Sequence, residues 1–405
     1  MLSLTSLSTT VLLAAAVALG PLATDMYLPA LPELGATFRA DTGQVQLTLS
    51  LYMAGFALAQ LICGPLADRF GRKPIMVGGL VLFALASVGC ALAQGIEALT
   101  LCRFLQALGG SAGPVLGRAA VRDIHSPREA ARIMALLAAI MAVAPALAPT
   151  LGGLLLTTLG WPSIFLVLAG YAVALSLVIA LRLPEPLPRH YRQTLKPANL
   201  ARNYWTVACN RSFQGYALIN ALLFSGLFAF LSGASFVLID FLGVSPTAFG
   251  AYFSVMVFGY MAGSFLAARL GQRLSSDQML RLGLVIAITG GTLMAGLAWA
   301  EVFTRAAVIL PQMLFMIGVG MVMPQTLAGA LAPFPRMAGS ASALYGFIQM
   351  AAAAGAGTLV GHLHNGTSQT MAGIIAGCAL AAGVAYLLRT ARYPAPSFDV
   401  VPSHG

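Results

Sequence analysis

Long apolar segments alternate with short polar ones along the 405-residue chain. Each apolar segment holds about twenty residues or more, which is enough to cross the hydrocarbon core of a bilayer as an α-helix. The pattern therefore predicts an all-α integral membrane protein with twelve spans, at residues 9–31, 44–65, 74–94, 98–121, 128–156, 162–183, 213–239, 247–270, 279–299, 306–330, 338–361 and 371–391.

Short polar signals mark where several of these spans begin. Asp41 and Gln44 fit a capping box at the start of the second span, and Ser126 and Glu129 fit one at the start of the fifth. Ser245, which is followed by proline, fits an N-cap for the eighth span. These residues predict helix starts and indicate no function.

Composition agrees with a membrane protein, since 59% of residues are hydrophobic, 8% are charged and the mean hydropathy is +0.86. The formal charge of +10 could suggest nucleic-acid binding, but the positions of the 22 Lys and Arg residues exclude it. Apart from Arg39 and Arg305 in predicted outer loops and Arg103 within a span, they cluster in alternate loops. This bias predicts cytoplasmic termini, and the protein resembles a bacterial inner-membrane protein.

The chain offers little for an enzyme or a metal site. Its five cysteines are scattered without a C-x-x-C pair, so we expect them to be apolar filler. His362 and His364 lie in a predicted outer loop without acids or cysteines, which is too few ligands for a metal. We therefore expect no catalytic residue, no metal and no cofactor.

The loop between the second and third spans carries the most specific motif, GPLADRFGRK at residues 64–73. It is too short for a domain, so it predicts a tight hairpin, and its cations place it on the cytoplasmic face. The pattern resembles the signature loop of the major facilitator superfamily. That resemblance implies a conformational latch formed by Gly64, Asp68, Arg69, Gly71, Arg72 and Lys73.

Residues 264–273 repeat the frame of this loop without its acid. The repeat predicts two similar halves, as in transporters built from parallel repeats. We expect a six-helix bundle over residues 1–183, a cytoplasmic linker over 184–212, a second six-helix bundle over 213–392 and a cytoplasmic tail over 393–405. The later, basic part of the linker can form an interfacial helix on anionic lipid.

Asp25 is the only carboxylate deep within an apolar segment. A charge there costs at least ~2.5–3.5 kcal/mol, so a functional role is the default reading. Arg103 in span 4 is the natural partner, because chain spacing places both residues about 8–9 Å below the outer boundary. A helix-packing ion pair with no transport role remains the alternative.

Span 5 contains Pro145, Pro149, Gly152 and Gly153. The prolines free backbone carbonyls, and the glycines permit a close neighbouring helix. The segment resembles the proline–glycine motif of proton-coupled drug antiporters, although the leading glycines of that motif are not evident. We expect it to be a helix-packing motif.

Aromatic, sulfur and amide side chains in several spans could line an adaptable apolar cavity, although most such side chains simply pack or face lipid. We expect the substrate-binding residues to be Asp25, Tyr52, Phe56, Gln106, Phe224, Phe228, Tyr252, Tyr345 and Gln349.

Five motifs together resemble the Bcr/CflA group of drug:proton antiporters: DMYLP at 25–29, VQLTLSLYM at 45–53, the 64–73 loop, FPRMAGSA at 334–341 and the proline–glycine segment of span 5. The resemblance implies two six-helix bundles with a central cavity and alternating access. It makes Asp25 the proton-linked acid, Arg103 its partner and Asp68 part of the latch. One departure is that some related antiporters carry a second acid earlier in span 1, where this chain has only residues 14–20 without charge.

The expected function is proton-coupled efflux of neutral or weakly cationic apolar drugs resembling chloramphenicol, florfenicol or bicyclomycin. The expected partners are the drug, a proton and membrane lipid, with a monomer as the working unit. Export of an endogenous metabolite by the same machinery is the main alternative. An uptake symporter would be expected to carry more polar groups deep in both halves.

Overall fold

The computed structural model describes the backbone of residues 7–187, 192, 197–335 and 337–392. Predictions for the tail 393–405 and for Arg336 lie outside this part of the chain. The first half forms helices α1 (Leu7–Asp25), α2 (Leu31–Phe38), α3 (Thr42–Phe70), α4 (Arg72–Ala91), α5 (Ile96–Gly110), α6 (Ala112–Ile124), α7 (Pro127–Leu159) and α8 (Pro162–Arg182). The linker contains α9 (Pro197–Ala208). The second half forms α10 (Arg211–Ser235), α11 (Pro246–Leu270), α12 (Ser276–Trp299), α13 (Arg305–Leu331), α14 (Ala338–His362) and α15 (Gln369–Arg392).

Each of the twelve predicted spans coincides with a helix or a pair of helices, so the predicted all-α membrane fold is confirmed. Ten helical stretches within the described residues are long and apolar enough to cross a membrane. The fourth span is divided at Ser111 into α5 and α6.

The predicted helix caps are also present. The Asp41 side chain accepts a hydrogen bond from the Gln44 amide at 2.8 Å, and the Gln44 side chain accepts one from the Asp41 amide at 3.0 Å. Glu129 accepts hydrogen bonds from the hydroxyl and the amide of Ser126 at 2.8 and 3.3 Å. Ser245 caps α11 through the amide of Ala248.

The first span is broken and is longer than expected. Helix α1 ends at Asp25, a 3₁₀ turn follows at Leu28–Ala30, and α2 continues to Phe38 rather than ending near residue 31. Pro29 has no N–H, so it cannot supply the helical hydrogen bond to the carbonyl of residue 25. The break therefore follows from the sequence, and it places Asp25 at a helix end.

The two halves pack through α3 with α14 and through α7 with α11. We call the side where odd-numbered predicted spans end the outer side. There the Ser235 hydroxyl of α10 donates to the Leu28 carbonyl at 2.6 Å, and the Ser232 hydroxyl donates to the Gln46 side chain at 3.0 Å. These hydrogen bonds join α10 of the second half to the first half beside the break in span 1.

Candidate functional site

Asp25 is the last residue of α1 and is only 4% exposed. Among the described residues, no basic side chain lies within 4.0 Å of its carboxylate. The direct pair with Arg103 that equal depth favoured is therefore not formed in this structure. A buried carboxyl without an ion-pair partner is costly to keep ionised, so Asp25 is suited to bind a proton.

Arg103 is fully buried in α5 and reaches α1 through the backbone instead. Its Nη1 donates a hydrogen bond to the carbonyl oxygen of Ala23 at 3.1 Å. The last four carbonyls of a helix have no partner within the helix, and a cation at that end also interacts favourably with the helix dipole. Arg103 thus caps the helix that ends at Asp25.

Aromatic rings surround the Arg103 guanidinium. Its central carbon lies 4.1 Å from the ring centre of Tyr52, 4.5 Å from that of Tyr27 and 5.9 Å from that of Phe165. Such cation–π contacts stabilise a desolvated cation by about 2 kcal/mol or more. Sequence reasoning missed Tyr27 and Phe165. Tyr27 could have been found from its place two residues after Asp25, whereas Phe165 in α8 carried no signal.

Amide and hydroxyl groups complete the Arg103 environment. Nη1 also donates to Oε1 of Gln106 at 2.5 Å, and Nε2 of Gln106 donates to the Ser87 hydroxyl at 2.7 Å. Nε and Nη2 of Arg103 have no hydrogen-bond partner among the described residues. The N–H groups of these two nitrogen atoms therefore stay free for an approaching anion or ligand.

The other candidate substrate residues fall into separate places. Phe56 packs against Gly20 of α1, with its ring centre 6.4 Å from that of Tyr52. In the second half, Oε1 of Gln349 accepts a hydrogen bond from Asn220 at 3.2 Å. Phe228 is buried, whereas Phe224 and Tyr252 are half-buried.

Tyr345 lies apart from the Arg103 site. It belongs to a small hydrophobic cluster with Phe213 and Phe334, at the end of the second half opposite the outer side. Its hydroxyl lies 2.9 Å from that of Thr326. The structure therefore gives Tyr345 a packing role within the second half and does not bring it to Asp25.

Gly152 and Gly153 of α7 permit two different close contacts. A Cβ atom at Gly152 would overlap the carbonyl of Met26, the residue after Asp25. A Cβ atom at Gly153 would overlap the carbonyl of Pro246, at the start of α11. Consecutive glycines thus fit one helix against both the break in span 1 and the second half.

The 64–73 loop is fixed by an ionic network. Asp68 pairs with Nη1 of Arg72 at 2.6 Å, and Nε of Arg72 pairs with Asp123 of α6 at 2.8 Å. Gly71 has φ +107°, a conformation that favours glycine. Gly64, in contrast, has open space around it and makes no close approach.

Glu185, in the linker after α8, is an unforeseen member of this network. Its carboxylate accepts hydrogen bonds from the backbone amides of Arg72 at 2.7 Å and Lys73 at 3.3 Å. These are the first amides of α4, which have no helical partner and favour an anion. Glu185 was overlooked because its two flanking prolines indicated only a chain break, and Asp123 because it appeared as one charge of a basic loop.

The linker helix α9 also contacts the first half. The Tyr204 hydroxyl donates to the carbonyl oxygen of Leu61 in α3 at 3.0 Å. This carbonyl has no helical partner because Pro65, four residues later, lacks an N–H. Val207 of the same helix packs in the second-half cluster that contains Phe213. Helix α9 therefore connects both halves on the latch side.

The second half has its own ion pair on this side, although the repeated loop lost its acid. Asp277 at the start of α12 pairs with Arg389 at the end of α15 at 2.5 Å. Tyr386 donates to Asp277 at 2.7 Å, and Arg389 donates to the Tyr216 hydroxyl at 2.9 Å.

Comparison with known proteins identifies the family. The sequence model of the Major Facilitator Superfamily matches residues 13–358 of this chain. The chain belongs to the Major Facilitator Superfamily. A structure of a bacterial homolog of the human lysosomal transporter Spinster has the same fold, with a TM-score of 0.77 at 17% identity over 95% of this chain and 96% of that one.

Curated superfamily members from bacteria are similar over most of their length. An uncharacterized MFS-type transporter of Bacillus subtilis is 36% identical over 82% of this chain and 83% of its own. A bicyclomycin resistance protein homolog of Haemophilus influenzae is 30% identical over 92% and 94%. A chloramphenicol resistance protein of Pseudomonas aeruginosa is 32% identical over 81% and 77%. These relatives confirm the resemblance to the Bcr/CflA group and identify a multi-pass membrane transporter of bacterial type.

Proposed function

We propose that this superfamily member exports neutral or weakly cationic apolar drugs in exchange for protons. The observation that carries the proposal is the buried, unpaired carboxyl of Asp25 at the end of a helix whose neighbouring carbonyl is capped by Arg103. Relatives named for bicyclomycin and chloramphenicol resistance support drugs as the substrates.

Asp25 and Arg103 can couple proton binding to a movement of span 1. An ionised Asp25 is stabilised if it approaches the free Nε and Nη2 donors of Arg103, whereas a protonated Asp25 needs no cation. The break after Asp25 allows α1 and the turn at Leu28–Ala30 to change their relative position. Proton binding can therefore shift the equilibrium between two arrangements of span 1.

A change in span 1 affects the second half through contacts that join the two halves. The Leu28 carbonyl of the turn accepts a hydrogen bond from the Ser235 hydroxyl, and Gly153 packs against the Pro246 carbonyl. Opening of the outer side requires these contacts to separate, so movement of span 1 would change access to the cavity. Drug and proton then exclude each other because each favours a different state.

The substrate would lie between the halves, against aromatic and amide side chains of both halves. The proposed contacts are Tyr52, Phe56, Gln106, Phe224, Phe228, Tyr252 and Gln349. With Asp25 as the one proton-linked acid, the expected stoichiometry is one proton per drug. The proton gradient supplies the energy, without a cofactor, in a monomer of the bacterial inner membrane with cytoplasmic termini and no enzymatic activity.

A susceptibility panel tests the proposal. An efflux-deficient bacterial host expressing the protein is challenged with chloramphenicol, florfenicol, bicyclomycin and a cationic dye, beside the same host expressing Asp25→Asn. Raised resistance to at least one neutral drug that is lost in Asp25→Asn is the expected result. Unchanged susceptibility to the whole panel at confirmed expression would reject drug export and favour the export of a metabolite.

A further inference from the structure

The two halves share a packing register that aligns individual residues. A Cβ atom at Gly109 of α5 would overlap the Gly79 carbonyl and the amide four residues after Gly79. A Cβ atom at Gly318 of α13 would overlap the Gly283 carbonyl and the amide four residues after Gly283. Helices α4 and α5 therefore meet in the same register as α12 and α13.

This register places Gln312 at the position of Arg103. Arg103 is six residues before Gly109, and Gln312 is six residues before Gly318. Each is also seven residues after the first residue of its helix. Both side chains are fully buried.

Gln312 has no hydrogen-bond partner within the described residues for either amide atom, Nε2 or Oε1. Leaving one buried polar group unpaired costs about 1–3 kcal/mol, and native proteins rarely do so without water or a ligand at the group. The described residues therefore leave both the acceptor oxygen and the donor nitrogen of this amide unused.

The helix faces of α13 indicate where Gln312 points. One face of α13 packs on α11 at Gly259 and Gly263. Another face of α13 packs on α12 at Gly283 and Gly290. Gln312 lies on the remaining buried face, about 100° around the helix from each of these contacts. The other helix that packs closely on α13 is α10, so this face is turned toward α10.

The outer end of α10, which packs on α13, is irregular. Arg305, the first residue of α13, donates to the Leu242 carbonyl at 3.5 Å, so the outer ends of the two helices are in contact. Just before Leu242, α10 changes into the π-helical turn Phe236–Phe241, and Gln312 lies about two turns further in along α13. Single π-helical turns occur frequently at functional sites. Arg103 likewise lies on a helix that packs beside an interrupted span, since it caps the end of α1 at the break.

The chemistry of the second half selects the kind of ligand. Its buried polar side chains in the described spans are uncharged: Asn220, Ser225, Ser232, Ser235, Gln312 and Thr326. A carboxamide offers an acceptor and a donor side by side, and its best complement is another amide. We propose that Gln312 is a binding residue for a neutral ligand that carries a carboxamide or lactam group, in the second half at the position equivalent to Arg103. This inference rests on the proposed export of neutral drugs and names the chemical class that the second half would recognise.

Gln312→Met tests the inference, because methionine keeps the length of the side chain and removes both hydrogen-bonding atoms. Met316→Leu, one turn further along the same buried face, is the matched control. Binding of radiolabelled chloramphenicol, a neutral secondary amide, and of tetraphenylphosphonium, a cation without hydrogen-bonding groups, is measured on the purified proteins. The Kd for chloramphenicol should rise by about 5- to 100-fold in Gln312→Met. It should stay within about twofold of wild type in Met316→Leu, and tetraphenylphosphonium binding should be the same in all three proteins.

Thermal unfolding without ligand separates binding from folding. Since Gln312 has no hydrogen-bond partner among the described residues, Gln312→Met should unfold at the same temperature as wild type or higher. A lower unfolding temperature together with equal losses for both probes would show a structural role and overturn the inference. An unchanged chloramphenicol Kd, as expected if Gln312 holds only an enclosed water, would overturn it too, as would wild-type protein that does not bind chloramphenicol. If Gln312→Met is not recovered folded, Gln312→Leu gives the same comparison.

Failure of the proposed antiport would look different. Wild-type protein in liposomes that binds chloramphenicol through Gln312 but does not exchange it for protons would reject antiport and retain the binding residue. Proton-coupled chloramphenicol export that is equal in wild type and Gln312→Met would reject the binding residue and retain antiport.

Discussion

Nη1 of Arg103 donates a hydrogen bond of 3.1 Å to the carbonyl oxygen of Ala23, two residues before Asp25. The buried guanidinium therefore holds the end of α1 and not the carboxylate that follows it. The contact leaves Asp25 without a salt bridge to Arg103, while the cation remains bound to the helix that ends at Asp25. Both residues can then respond to a movement of span 1.

Asp25→Asn should abolish proton-coupled export while leaving the protein in the membrane, since the amide cannot bind and release a proton. The measurement is drug-induced proton release from the purified protein at weak buffering. Asp240→Asn, which changes an acid near the outer end of its span, is the control and should release protons normally. Normal release from Asp25→Asn would rule out its coupling role.

Arg103→Ala should be more damaging than Arg103→Lys. Alanine removes the cap on Ala23 and leaves the rings of Tyr27 and Tyr52 without their cation. Lysine keeps the charge but not the fork of donors, so it should restore only part of the activity. The pH dependence of drug binding is the measurement. A wild-type pH profile in Arg103→Ala would show that the cation does not influence the proton site.

Gly153→Ala should impair export, because its Cβ would overlap the Pro246 carbonyl where α7 meets α11. Overpacking of this kind costs roughly 1–3 kcal/mol and would separate the two halves locally. Gly170→Ala is the control, since nothing lies within 4 Å of a Cβ placed there. Export and unfolding temperature are measured for both. Equal behaviour of the two variants would contradict the close contact.

Asp68→Asn should slow transport more than it weakens drug binding. Asp68 pairs with Arg72 in a network that also holds Asp123 and Glu185, away from the proposed cavity. Loss of the pair should change the balance of states rather than the drug site. Turnover in liposomes and equilibrium drug binding are compared, with Glu185→Gln as a second variant expected to behave alike. Equal factors for turnover and binding would make the latch interpretation wrong.

Tyr204→Phe should favour opening on the latch side. The change leaves the Leu61 carbonyl without its donor and removes one hydrogen bond between the linker helix and the first half, worth about 0.5–1.5 kcal/mol. Burial raises the pKa of Tyr204, so the hydroxyl stays a donor over the physiological range. Distances between spin labels on the latch-side ends of α3 and α14 should shift toward the longer population by about two- to tenfold.

Tyr171→Phe is the matched control for this variant, because the Tyr171 hydroxyl donates to the Ala15 carbonyl within the first half. It should leave the distance distribution unchanged. An equal shift in both variants would show that Tyr204 does not restrain the two halves.

The sequence by itself determined the spans, their starts and the latch loop. Crossing a bilayer requires long apolar helices, and the caps at Asp41 and Ser126 depend on residues three positions apart. Asp25 and Arg103 also stood out, because a charge is conspicuous in an apolar segment. All of these features are local in the chain.

Only the tertiary structure decided which residues surround those charges. Arg103 meets Phe165 from another span, and Glu185 reaches the start of α4 from more than a hundred residues away. Gln312 became a candidate only through the packing register that equates it with Arg103. The physical reason is that apolar helices can satisfy the membrane in many rotations, and close glycine contacts select the one in which these side chains meet.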